Sequence, residues 1–199
     1  IILFSRIFSL SLSPDSESKE RCLVPFADMF NHHYPSDTIW GIGCDATNDE
    51  SCQRITALKG RSDDKSFIVL VDSFAMLEYY IPEFPEVCYD LVDLATRPLT
   101  IIYPNAQRLA PSVLANDGSV GIRVTKDPNC LKLIRGMRKP LVSTSANLSG
   151  SASPNCFDEV QTEIKQGVDL ILEERLTEKM TTPSQIIKIG VSGDVKVIR

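Results

Sequence analysis

Short apolar runs alternate with amphipathic stretches along residues 34–199, and the residues before them show no such regularity. Runs at 38–43, 67–71, 99–103, 120–124, 141–144, 169–172, 185–189 and 195–199, many of them rich in Val and Ile, predict strands. Between them, 49–58 (with Asn48 as its cap), 73–80, 85–94, 129–137 and 157–166 predict helices. Strands and helices interleave without strict one-to-one order. That pattern predicts a mixed α/β domain rather than a simple doubly wound sheet.

The first residues read differently. Ile1-Ile2-Leu3-Phe4 and Ile7-Phe8-Ser9-Leu10 have the apolarity of a signal-peptide core, but Arg6 interrupts them and no small-residue cleavage site follows. Residues 11–21 are polar and Ser-rich and predict a loop, and 22–26 form a short apolar run. The chain opens on Ile rather than Met, as a fragment, a processed product or an edited gene product would.

A length of 199 residues suits one main domain with an appendage, and 43% hydrophobic residues can bury a real core. The net charge of -5 argues against a broad nucleic-acid footprint, which needs clustered Lys and Arg. A few local cations can still hold a small anion. The cysteines, Cys22, Cys44, Cys52, Cys88, Cys130 and Cys156, contain no CxxC pair and predict reduced, mostly buried thiols rather than a disulfide framework or a metal site. His32 and His33 have no ligand-spaced partner and read as surface or junction residues, so no metal site is expected. No run reaches the roughly 18 apolar residues a membrane span needs. A cytoplasmic location, with no membrane partner, is the expectation.

Three clusters offer chemistry. Tyr34-Pro35-Ser36-Asp37-Thr38-Ile39-Trp40-Gly41-Ile42-Gly43 places hydroxyls beside a turn and glycines where backbone can approach a ligand, although alone it reads as a turn entering a strand. Lys59, Arg61 and Lys65 surround Gly60 and can grip phosphates, or they can cap a helix C-terminus. Ser143-Thr144-Ser145-Ala146-Asn147-Leu148-Ser149-Gly150 leaves the apolar strand Leu141-Val142. Hydroxyls and amides at a strand's carboxyl end are where α/β proteins bind ligands, and here function is the better reading.

Together, in order, the three clusters resemble the YrdC-like threonylcarbamoyl-AMP synthases. The likeness extends through Pro98-Leu99-Thr100-Ile101-Ile102, Ser119-Val120-Gly121-Ile122-Arg123, Ser153-Pro154, Thr182-Pro183-Ser184-Gln185-Ile186-Ile187 and Val197-Ile198-Arg199. The resemblance implies a twisted, open, mixed α/β sheet with helices around a concave, positively charged cavity. It implies condensation of L-threonine, bicarbonate and ATP, with Mg2+, to threonylcarbamoyl-AMP and pyrophosphate. Partner proteins would then transfer the threonylcarbamoyl group to an adenosine of tRNA. By position, Arg61, Lys65, Ser119, Ser145, Asn147, Ser153 and Arg199 match residues around ATP. Ser36, Thr38, Arg123, Ser143 and Ser184 match those around threonine, and Lys59 and Arg61 would neutralise charge developing at the α-phosphate. No nucleophile with a His/Asp partner is evident, so positioning and electrostatics would carry the reaction.

The pattern departs from the family in places. Ser36 stands where Thr is usual, Gln185 stands where Thr is common, and residues 34–199 lack the family's first helix and strand. Residues 1–33, through Ser5-Arg6-Ile7-Phe8, 22–26 and Asn31-His32, instead resemble a fragment of a SET-domain lysine methyltransferase, too short to enclose a cofactor. That piece reads as a vestige or fusion junction, with 22–26 expected to dock as a substitute strand or to cover that edge. Two other functional readings remain: a non-catalytic YrdC-like module binding nucleotides or double-stranded RNA, and an inactive truncated chimera.

Overall fold

The computed structural model describes residues 32–34, 38–60, 67–172, 176–190 and 192–199. The strands among them are β1 (His32–Tyr34), β2 (Gly41–Gly43), β3 (Ile68–Val71), β4 (Leu99–Tyr103), β5 (Val120–Val124), β6 (Leu141–Ser145), β7 (Leu170–Ile171), β8 (Gln185–Ile189) and β9 (Val195–Val197). They join in the order β7-β1-β2-β6-β3-β5-β4-β8-β9, an open sheet mixing parallel and antiparallel pairs. The helices are α1 (Asp49–Lys59), α2 (Phe74–Tyr80), α3 (Val87–Asp93), α4 (Pro128–Met137) and α5 (Thr162–Gly167). The mixed α/β sheet is the fold class the sequence predicts. None of these helices is long and apolar enough to cross a membrane.

Local sequence sets the helix ends. Asn48 caps α1 by accepting the Ser51 N–H at 2.9 Å, and Gly60 ends the helix in the left-handed region at φ 56°. The Asp127 carboxylate caps α4 by accepting from Asn129 and Cys130, with Pro128 at the first helical position, where no N–H is needed. Arg54 of α1 forks onto both carboxylate oxygens of Asp169 at 3.1 Å, tying that helix to the approach to β7.

The two-residue alternation of strands gives the sheet two unlike faces. One face carries Val69, Val71, Ile101, Tyr103, Val120, Ile122, Val142, Ile187 and Ile189 into the main core, beneath α1, α2 and α3. Cys44, Cys52 and Cys88 lie in that core, and Cys130 in a smaller one, all as free thiols. The other face is apolar under α4, where Leu70 and Leu141 meet Cys130, Leu133 and Ile134. Beyond α4 it mixes apolar side chains with polar ones. Pairing places Ser143 opposite Ile68, Ile68 opposite Gly121, and Leu70 opposite Arg123, so Ser143, Gly121 and Arg123 share that face. Gly121 keeps it open at its centre: a Cβ there would lie 3.2 Å from Thr100 Cγ2.

Three expectations change. The stretch expected as one helix over 157–166 is a 3-10 turn, Phe157–Glu159, followed by α5. Val160 and Gln161 between them are extended, and the Gln161 side chain is used to accept the Leu148 N–H at 2.8 Å. The strand expected over 38–43 begins only at Gly41, after a bend. His32 and His33, read from sequence as surface or junction residues, form β1 with Tyr34, antiparallel to β2 and parallel to β7. Backbone groups make that ladder, and the β2 edge needs partners whatever side chains stand there. The expected docking of residues 22–26 lies outside the described residues.

A chain beginning at residue 35 should therefore melt below one beginning at residue 32, because only the shorter chain leaves the β2 and β7 edges unpaired. Thermal unfolding of the two truncations checks this; equal midpoints would show that β1 adds nothing.

Candidate active site

A cavity of about 410 Å³ opens at the end of β6, within the size range of small-molecule sites. Ser143, Ser145, Ser153 and Arg199, four of the residues singled out from sequence, line it. Ile39, Ile68, Met180 and Pro183 give it apolar wall, and Asn155 and Thr181 add polar groups that sequence reasoning did not find. Their signal is weak in the sequence, since 155 and 180 meet only through folding: the Met180 N–H donates to the Asn155 carbonyl at 2.8 Å.

The loop after β6 is held from beneath. Lys59, 4% exposed, donates its ammonium to the backbone carbonyls of Ser145 and Asn147, the latter at 2.7 Å. The Lys59 carbonyl in turn accepts the Ser149 N–H at 2.8 Å, and the Trp40 carbonyl accepts that of Ala146 at 2.9 Å. Asn147 donates both amide hydrogens, to the carbonyls of Leu148 and Ser151. Its buried Oδ1 has no acceptor role among the described residues. A cation that sequence reading places at the α-phosphate thus sits under the loop and shapes it. Gly60 makes this possible, because the chain turns sharply away just after Lys59.

Arg123 and Thr38 are buried beside the cavity rather than on its lining, with the guanidinium 3.4 Å from the Thr38 hydroxyl. Ser184, also buried, accepts from the Thr100 hydroxyl at 3.0 Å, and its carbonyl accepts the Arg199 Nε–H at 3.2 Å. Arg199 reaches the cavity because the chain after β9 continues alongside β8, its backbone bonding to Ile186. Ser36, Arg61 and Lys65 lie outside the described residues.

Ser119 stands apart from the lining. Asp117 accepts both its N–H, at 3.0 Å, and its hydroxyl, at 2.5 Å, while the other carboxylate oxygen takes the Lys188 ammonium at 2.8 Å. Lys188 first, then the two Ser119 donors, hold the Asp117 carboxyl well below the usual carboxylate range.

An open mixed sheet with a partly polar face, a cavity at a strand's carboxyl end and a clamped hydroxyl-rich loop define an α/β small-molecule-binding domain. A family model described as telomere recombination matches residues 33–199, and the chain belongs to this Sua5/YciO/YrdC family. The threonylcarbamoyl-AMP synthase of Pseudomonas aeruginosa is 33% identical over 163 residues, covering 81% of this chain and 86% of that one. The protein of the same name from Pseudoalteromonas translucida is 28% identical over 165 residues, covering 81% and 87%. The crystal structure of P. abyssi Sua5 complexed with L-threonine superposes with a TM-score of 0.71 at 26% identity, over 80% of this chain and 47% of that one. This chain therefore spans about half the length of that Sua5. E. coli YciO superposes with a TM-score of 0.70 at 22% identity, over 86% and 82%, a likeness of fold. The family match starts at residue 33, and these comparisons give no support to the methyltransferase resemblance of the residues before it.

Two outcomes follow from this geometry. Lys59→Met should lower the unfolding free energy by about 1.5–3 kcal/mol, because two loop carbonyls lose a charged donor; urea unfolding measures it, and parent-like stability would refute the clamp. Asp117, with its folded pKa depressed, adds stability that is present above its ordinary pKa of 3.8 and lost as pH falls below it. The melting-temperature gap between parent and Asp117→Asn should accordingly be positive at neutral pH and shrink below that value. A gap independent of pH would remove the carboxylate from the account.

Proposed function

We propose that this chain is an L-threonylcarbamoyladenylate synthase. The threonine amine combines with bicarbonate to give a carbamate and water. A carbamate oxygen then attacks the α-phosphorus of ATP, forming the mixed anhydride threonylcarbamoyl-AMP and expelling pyrophosphate. The observation that carries the reading is the meeting of Ser143, Ser145, Ser153 and Arg199 in one cavity above a clamped loop. Membership in a family whose similar members bear the synthase name supports it.

The residues divide the work by charge and reach. Arg199, Ser145 and Ser153 suit the nucleotide, joined by Asn147, Ser119, Arg61 and Lys65. Arg123, with Thr38, Ser36, Ser143 and Ser184, suits threonine, whose carboxylate matches a guanidinium fork. Arg199 on the lining would make the cavity positively charged, and binding of the nucleotide by Arg61 and Lys65 would add to that charge. Lys59 serves through the loop it holds, keeping Ser145 and Asn147 in place while charge builds at phosphorus. Among the described residues the lining offers hydroxyls, an amide and a guanidinium but no carboxylate. That donor set fits a magnesium ion that arrives on the triphosphate and keeps water ligands, with Ser143 and Ser145 as partners for those waters. Magnesium there would neutralise phosphate charge. The product passes to partner proteins that modify tRNA, which agrees with a net charge of -5.

Incubation with ATP, L-threonine and bicarbonate should give threonine-dependent pyrophosphate release. Arg123→Ala should raise KM for threonine roughly tenfold or more and KM for ATP far less, as loss of a charge-assisted hydrogen bond would. No release from cooperatively folded protein would sink the synthase reading and leave a binding module.

A further inference from the structure

The apolar side of the cavity is the natural seat for a flat base, and a single amide faces it. Met180, Ile39 and Pro183 form that side, and Asn155 stands on the same lining near Ser153. An amide can present either a donor or an acceptor, and which end faces inward depends on what holds the other. Here Glu159 decides. Its Oε2 accepts the Asn155 Nδ2 at 2.9 Å and the Asn155 backbone N–H at 2.8 Å. A carboxylate accepts and cannot donate, so one amide N–H points to Glu159 and the side-chain oxygen is the acceptor the amide offers to a ligand. The Met180 N–H donates to the main-chain carbonyl of Asn155, which fixes the backbone of that residue beside the apolar wall and leaves the side-chain oxygen unengaged by it.

We propose that Asn155, oriented by Glu159, selects adenine over guanine by accepting a hydrogen bond from the exocyclic amine of the base. Adenine carries an amine at that position and guanine carries a carbonyl oxygen. An acceptor facing guanine there would meet another acceptor, and a site built to bond one group discriminates against the ligand that lacks it. The inference rests on the proposed binding of ATP in this cavity and adds to it the residue that reads the base. Ser153 and Arg199 would hold parts of the nucleotide common to ATP and GTP, so they cannot make this distinction. Glu159 touches no ligand and is a positioning residue.

The test compares ATP with GTP in the parent, Asn155→Ala, Glu159→Ala and Glu159→Gln. Two readouts are used: kcat and KM from pyrophosphate release, and the nucleotide-induced shift in melting temperature. Asn155→Ala should lower the ATP-to-GTP ratio of kcat/KM about tenfold, the worth of one hydrogen bond, through KM for ATP and with kcat and threonine KM near the parent's. Glu159→Ala should lose part of the same ratio, and Glu159→Gln should largely restore it, because its amide oxygen still accepts from Asn155. The ratio of ATP to GTP melting shifts should move in the same order.

An unchanged ratio in Asn155→Ala overturns the inference and leaves the synthase reading standing. So does an equal rise in KM for both nucleotides, which would place the amide on ribose or phosphate, or a rise confined to threonine. A parent stabilised by ATP but releasing no pyrophosphate removes the synthase reading, and the melting shifts still decide the base contact. A parent stabilised by neither nucleotide overturns both.

Discussion

A central sheet strand has two faces, and in this protein each must satisfy a different solvent. The face built from Val69, Ile101, Val120, Ile122, Val142 and Ile187 packs into a continuous apolar core. The opposite face sends out Ser143, Ser145 and Arg123 from the same strands. Polar groups removed from water there need partners, and each unmet one costs on the order of 1–3 kcal/mol. The partners observed are specific: Thr38 for Arg123, Ser184 for Thr100, and loop carbonyls for Lys59. The core can hold the sheet firmly because the site is kept to one side of it.

Lys59 shows how this division shapes a charged residue. A buried ammonium is tolerated when several oxygens surround it, and the loop after β6 supplies them. The same contacts fix the course of that loop, so one side chain meets its own solvation need and sets the cavity wall. Its ammonium is turned toward those carbonyls, beneath the neighbouring hydroxyls.

Much of this was legible in the residues. Each Val- and Ile-rich run became a strand, because short β-branched stretches have little alternative in a chain of this pattern. Asn48 capped its helix as expected. The seryl loop and Arg199, matched from sequence to one family's site, line a single cavity. What stayed hidden depends on neighbours far away in sequence. His32–Tyr34 has no strand signature and pairs because β2 and β7 offer free backbone on either side. Val160 and Gln161 read as helix until the Gln161 side chain is seen serving Leu148. The inward turn of Lys59 follows from the position of carbonyls that no spacing rule encodes. Asn155 is held at the cavity by Glu159 and by Met180, the second of which is distant in sequence.

The order of strands also governs how the chain can reach this state. β1 pairs with β7, joining His32 to Leu170, and β4 pairs in parallel with β8, joining Leu99 to Gln185. Such pairings close long loops before any contact rewards them, and folds built on them cross their barrier slowly. The hairpin of β8 and β9 is local and can form early. The cavity draws its walls from both distant partners, Ile39 beside β2 and Met180 ahead of β8. The site therefore cannot exist until synthesis has passed Arg199, and until then the apolar strands are exposed to premature association.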